Sequence, residues 1–135
     1  MKYIFLFFFS IGLTSVGISQ TAKTVGPVIT WEKSSFDFGD VPQGDKVEHT
    51  FKFTNTGNQP LIITNIQVTC GCTTPKGWPR DPIAAGAKGE ITIAFNSASK
   101  MGKQNKAVII MSNAVNNDNQ ILFTANVLPK SLPNN

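Results

Sequence analysis

Residues 47–53 alternate without a break: Val47, His49, Phe51 and Phe53 fall on one face, and Glu48, Thr50 and Lys52 on the other. A period of two over seven residues predicts a half-buried β-strand. Residues 90–95 repeat the pattern, with Ile91, Ile93 and Phe95 inward. Residues 61–68, 107–111 and 120–127 are apolar, β-branched runs that read as further strands. Two shorter strands precede them, over 28–32 and around Asp37, which Phe36 and Phe38 flank. Turn chemistry separates these segments at 39–44 (GDVPQG), 55–60 (NTGNQP) and 113–119. Residues 73–89 read as a long connection rich in Gly, Pro and Thr, and 96–106 as a polar one. A helical period is missing throughout. About seven strands at this spacing predict an all-β fold, an immunoglobulin-like antiparallel β-sandwich.

The segment before the first strand has a different character. Residues 1–20 read MKYIFLFFFSIGLTSVGISQ: Lys2, then an apolar stretch to about Val16, then the small-x-small site Gly17-Ile18-Ser19. This is the pattern of a cleavable signal peptide over 1–19, with Gln20 as the new N-terminus. The apolar run is short for a membrane span, which needs about 20 residues. The expected organisation is a signal peptide (1–19), a flexible lead-in (20–27), one sandwich domain (28–128) and a polar tail (129–135). A secreted or periplasmic location follows, with no membrane span in the mature chain.

The 135 residues suffice for one domain, and ten Phe supply a core. Net charge is +4, or +3 once Lys2 is removed, and the lysines are scattered singly. Nucleic-acid binding normally needs a clustered patch, so no nucleic-acid partner is expected. Two cysteines cannot form a disulfide framework. A single His, no nucleophile elbow and no phosphate-cradling loop argue against an ordinary enzyme, leaving Cys70 and His49 as the one conceivable nucleophile and base.

The segments F-D-F-G-D-V-P-Q-G (36–44), H-T-F-K-F-T-N-T-G (49–57), P-L-I-I-T-N-I (60–66), C-G-C-T (70–73), I-A-A-G-A-K-G-E-I (83–91) and G-K-Q-N-K (102–106) occur in that order. Together they resemble an exported bacterial Ig-like family, the domain-of-unknown-function family 1573, itself similar to ASH/MSP-type sandwiches. The resemblance covers about 34–128. Ala85 departs from it where a Pro-Gly pair is common, and affects only a turn. The resemblance implies a fold and a location, and no activity.

Cys70-Gly71-Cys72 is the segment with candidate chemistry, and three readings stay open. Cα atoms two residues apart in a straight strand are about 6.5–7 Å apart, at the edge of disulfide geometry, and Gly71 would let the chain bend. Alternatively, two thiolates are soft ligands that select Cu(I) or Zn. If 61–68 pairs with 47–53, His49, Cys70, Cys72 and Met101 could converge as ligands. Or the cysteines pack as small hydrophobes, with His49 hydrogen-bonded at the edge of the core. Trp78, flanked by Gly77 and Pro79, and Trp31 are candidate partner contacts, since aromatics are enriched at binding hot spots. Trp78 as a lid on one end of the sandwich is the competing role. The acids Asp37, Asp40 and Asp45 lack the tight loop calcium requires. The expectation is a non-catalytic module that binds a protein or a cell-envelope component, with a thiol-redox or Cu(I)-handling module as the alternative.

Overall fold

The structure is a computed structural model that describes residues 25–131, together with 12, 17 and 18. Most of the expected signal peptide and of the lead-in, and the last four residues of the tail, lie outside the described residues.

Eight strands form: β1 (Ile29–Trp31), β2 (Ser35–Pro42), β3 (Lys46–Asn55), β4 (Ile63–Val68), β5 (Thr73–Gly77), β6 (Lys88–Asn96), β7 (Gly102–Ser112) and β8 (Gln120–Leu128). They make two four-stranded sheets, ordered β1-β3-β6-β5 and β2-β8-β7-β4. All pairs are antiparallel except β2–β8, which run parallel and carry a bulge between Asp37 and Asp40. Among the described residues there is no helix, and none long and apolar enough to cross a membrane.

Alternation fixes which face is buried. Phe51 and Phe53 of β3, Ile91, Ile93 and Phe95 of β6, and Ile121 and Phe123 of β8 point between the sheets and are essentially sealed from water. Each such side chain contributes about 1.5–3 kcal/mol relative to exposure.

The structure departs from the expected strands at β2, β5 and β7, and β2 runs on to Pro42 through most of the turn expected at 39–44. The eighth strand, β5, lies inside what reads as a long connection. Its Pro75 and Gly77 look like turn residues, but β5 is an edge strand, paired only with β6, where a missing N–H is tolerated. β7 begins at Gly102 rather than 107, because the polar stretch 102–106 pairs with 123–127 of β8.

Two buried polar residues tie the loops down. The Asn55 side chain, fully buried, accepts from the N–H of Val28 (3.2 Å) and Gly57 (3.1 Å) and donates to the carbonyls of Gln59 (2.8 Å) and Ile83 (2.9 Å). Ser97, also fully buried, accepts at Oγ from Gly44 N–H (3.0 Å) and lies 2.8 Å from the Asp45 carbonyl. All four hydrogen-bonding positions of the Asn55 amide are used, as a buried amide requires.

Candidate functional site

Cys70 follows β4 of one sheet and Cys72 precedes β5 of the other, so C-G-C is the turn by which the chain changes sheets. The Thr73 N–H closes this turn on the Cys70 carbonyl at 3.1 Å. The Asn96 N–H on β6 anchors it through the Cys72 carbonyl at 2.8 Å. The bend brings the two Cα atoms to 5.2 Å, and the cysteines are joined as a disulfide. Cys72 is buried, at 9% exposure, and packs in the core; Cys70 is half-buried, and its Sγ accepts the Cys72 N–H at 3.1 Å.

The other two expected ligands do not join the pair. The expected convergence assumes that 61–68 pairs with 47–53, but β4 pairs with β7 and lies in the opposite sheet from β3. His49 faces β2, stacked on Phe36, on the flank of the sandwich away from the β4–β5 edge. Thr69 reaches the Ala107 carbonyl at 3.5 Å, which sets the cysteines beside the middle of β7. Met101 precedes β7 altogether and is 52% exposed. At about 3.3 Å per residue, the extended course of β7 carries it well beyond reach of Cys70. Among the described residues no group of three or more His, Cys, Asp or Glu side chains converges.

His49 sits between rings: Phe36 lies parallel at 3.6 Å and Phe51 edge-on at 4.8 Å. Burial first, and the charge of Lys33 second, hold its imidazole below the ordinary 6.5. This neutral, stacked ring is a packing element.

Trp31 is no surface contact. It is 8% exposed, packs edge-on against Phe53 at 5.3 Å, and donates its indole N–H to the Asp118 carbonyl at 2.9 Å. Trp78 differs. It is half-buried against the core just beyond the end of β5, a strand's length from the disulfide. The Arg80 guanidinium lies 3.6 Å over its ring. Its indole N–H is buried and finds no hydrogen-bond acceptor among the described residues. Sequence reasoning missed Arg80, whose spacing of two from Trp78 is the signal that could have found it.

Solved structures with this fold have little sequence in common with the chain. A protein of unknown function from Porphyromonas gingivalis W83 superposes with a TM-score of 0.66 at 16% identity, over 82% of this chain and 51% of that one. The chain thus spans about half the length of that protein. The ASH/PapD-like domain 7 of human CEP192 gives 0.60 at 9% identity, over 90% of this chain and 99% of that one. The secreted serine protease VesC from Vibrio cholerae gives 0.54 at 17%, over 76% and 23%. These likenesses establish the sandwich fold alone. No curated protein matches the chain. The family described as "Protein of unknown function (DUF1573)" matches residues 29–127, nearly all of the eight-stranded unit, and the chain belongs to that family.

Proposed function

We propose that this domain is an exported, non-catalytic module of the cell envelope that binds a protein or envelope component through the Trp78–Arg80 corner. Export is supported by the basic, apolar and small-residue succession of 1–19. A non-catalytic role is supported by the disposition of the reactive side chains: both sulfurs are bonded to each other, and the single His is stacked between Phe36 and Phe51.

The observation that carries the proposal is the indole of Trp78, buried at its N–H without an acceptor among the described residues and covered by Arg80 at 3.6 Å. An unpaired buried N–H costs about 1–3 kcal/mol. Trp and Arg are the side chains most enriched at binding hot spots, and their cation–π contact presents them as one rigid unit.

The test is site-specific photo-crosslinking in living cells, with the photoreactive residue at position 80 of the full chain and, as a control, at exposed Asn105 on the outer face of the other sheet. A discrete cross-linked species from position 80, lost on Trp78→Ala in a variant that still folds, supports the corner. A species that forms from position 105 and not from position 80 moves the binding surface elsewhere.

A further inference from the structure

We propose that the free stretch of β3 accepts an extended, acidic segment of a partner protein as an added strand. β3 is paired with β6 along Lys46–Thr54, but on its other side β1 covers only Phe53–Asn55. After Trp31 the chain leaves for the opposite sheet and starts β2 at Ser35. Half of one strand position is therefore filled by β1, and among the described residues the half beside Lys46–Phe51 has no strand.

Hydrogen-bond parity shows what this gap offers. The Lys52 carbonyl accepts from Glu32 and the Thr56 N–H donates to Val28, so even-numbered residues turn toward β1's side. Asn55 N–H donates to Ala87, so odd-numbered residues turn toward β6. Antiparallel alternation then directs the N–H and C=O of Glu48 and Thr50 into the gap. Its floor is aromatic: Phe36 and Phe38 of β2 and His49 are half-buried there, with Phe36 and Phe38 edge-on at 5.0 Å. Backbone groups along one edge and an apolar floor beneath are the two elements strand addition uses.

The occupant's chemistry follows from the surroundings. Inward side chains of the added strand meet Phe36, Phe38 and His49 and must be apolar. Outward ones meet Lys33 and Lys52, which outnumber Glu32 and form no ion pair among the described residues. Glu48 is already bound to Lys76 at 2.8 Å. Acidic residues at the ends of the segment complement this rim.

A second copy of the chain fits badly. Two-fold pairing centred on Thr50 drives Lys46 and Val47 of the second copy into the place of β1, opposite Thr54 and Phe53. Centring on His49 sets Lys46 against Lys52, and centring on Glu48 sets the two Glu48 side chains against each other. Like charges directly opposite are destabilising.

The test uses an end-blocked synthetic peptide, Glu-Val-Thr-Val-Thr-Val-Glu, with the valine amides N-methylated. In the docked strand the valines point inward and their N–H groups face away from β3, so methylation there leaves docking intact and stops the peptide pairing with itself. A control peptide is methylated at the threonines, whose N–H groups face β3. With the first peptide, amide exchange at Glu48 and Thr50 slows by at least about tenfold. The amides of His49 and Phe51, already bonded to β6, do not change. The threonine-methylated peptide gives no protection, Thr50→Pro abolishes binding, and Trp78→Ala binds as the wild type, because this surface is separate from the Trp78 corner. Equal protection by both peptides, none by either, loss of binding on Trp78→Ala, or protection that rises with protein concentration alone would each overturn the proposal.

Discussion

His49 of β3 lies flat on Phe36 of β2, with 3.6 Å between ring centroids and 8° between planes, so one imidazole joins the two sheets at the sandwich flank. Burial and the nearby Lys33 hold its pKa below 6.5 in the folded state. As pH falls below about 6.5, the unfolded chain takes up this proton before the folded one does, so stability is flat above that value and declines beneath it. Asp37 adds a second loss at lower pH. Its carboxyl is held below 3.8 by the Gly39 N–H at 2.9 Å and by Thr124, and that contribution disappears as pH falls through the folded value. Urea midpoints measured across this range should decline below about pH 6.5 in the wild type. In His49→Phe they should stay level until Asp37 titrates. A His49→Phe protein that keeps the first decline would remove His49 as its source.

The Asn55 side chain makes four hydrogen bonds to the backbone. Truncation to Ala strands the N–H groups of Val28 and Gly57 and the carbonyl of Gln59, while the Ile83 carbonyl keeps the Leu61 N–H. At about 1–3 kcal/mol for each buried group left unpaired, the loss should exceed about 3 kcal/mol. Asn55→Asp should do no better, because it turns a carboxylate oxygen toward two carbonyls. Chemical denaturation of both variants checks this, and an Asn55→Asp protein close to wild type would show that the donor half of the amide is dispensable.

Gly57 is required for space rather than for backbone freedom. A Cβ there would strike the Gly26 carbonyl, come within 2.5 Å of the Val28 nitrogen and 2.8 Å of the Pro27 Cα, all of them main chain. The segment leading into β1 would have to move, breaking the bond from Thr56 N–H to the Val28 carbonyl. Gly57→Ala should cost about 3 kcal/mol. Gly39 is the opposite case, with φ at 68° and open space around it. Gly39→Ala should cost about 1–2 kcal/mol through the left-handed backbone alone. Thermal or urea denaturation would contradict the distinction if the order were reversed.

The faces of the strands were legible from alternation, and the partners of the strands were not. β3, β6 and β8 bury the residues their period of two predicts, because a core face imposes that period directly. Alternation says nothing about which strand lies beside which. Pairing β4 with β3 was therefore the natural reading of consecutive strands, and it brought His49 and Met101 to the cysteines. The sheet crossover at Cys70–Cys72 undid that arrangement. Trp31 was ambiguous in the same way, since a Trp in a short strand reads as surface or core until its sheet is known. The unfilled half of the β1 position could not have been seen at all, being a property of where β1 stops relative to β3.

The Cys70–Cys72 bond should matter little to stability. Its ends are two residues apart, so the loop it closes has three residues and constrains the unfolded chain by about 1.5 kcal/mol. The neighbouring backbone bonds, Thr73 N–H to the Cys70 carbonyl and Asn96 N–H to the Cys72 carbonyl, do not involve sulfur and should hold the turn without it. Cys72 also fills core space, and replacing it with Ala adds the loss of a small buried atom. A Cys70→Ala/Cys72→Ala protein is therefore expected to fold with a deficit of about 2 kcal/mol and to cross-link from position 80 as the wild type does. Denaturation and cross-linking on the same preparation measure both. A folded double variant that no longer cross-links would place the function at the cysteines and count against the Trp78–Arg80 corner. A deficit well above about 4 kcal/mol would mean that the crossover depends on the sulfur bridge itself.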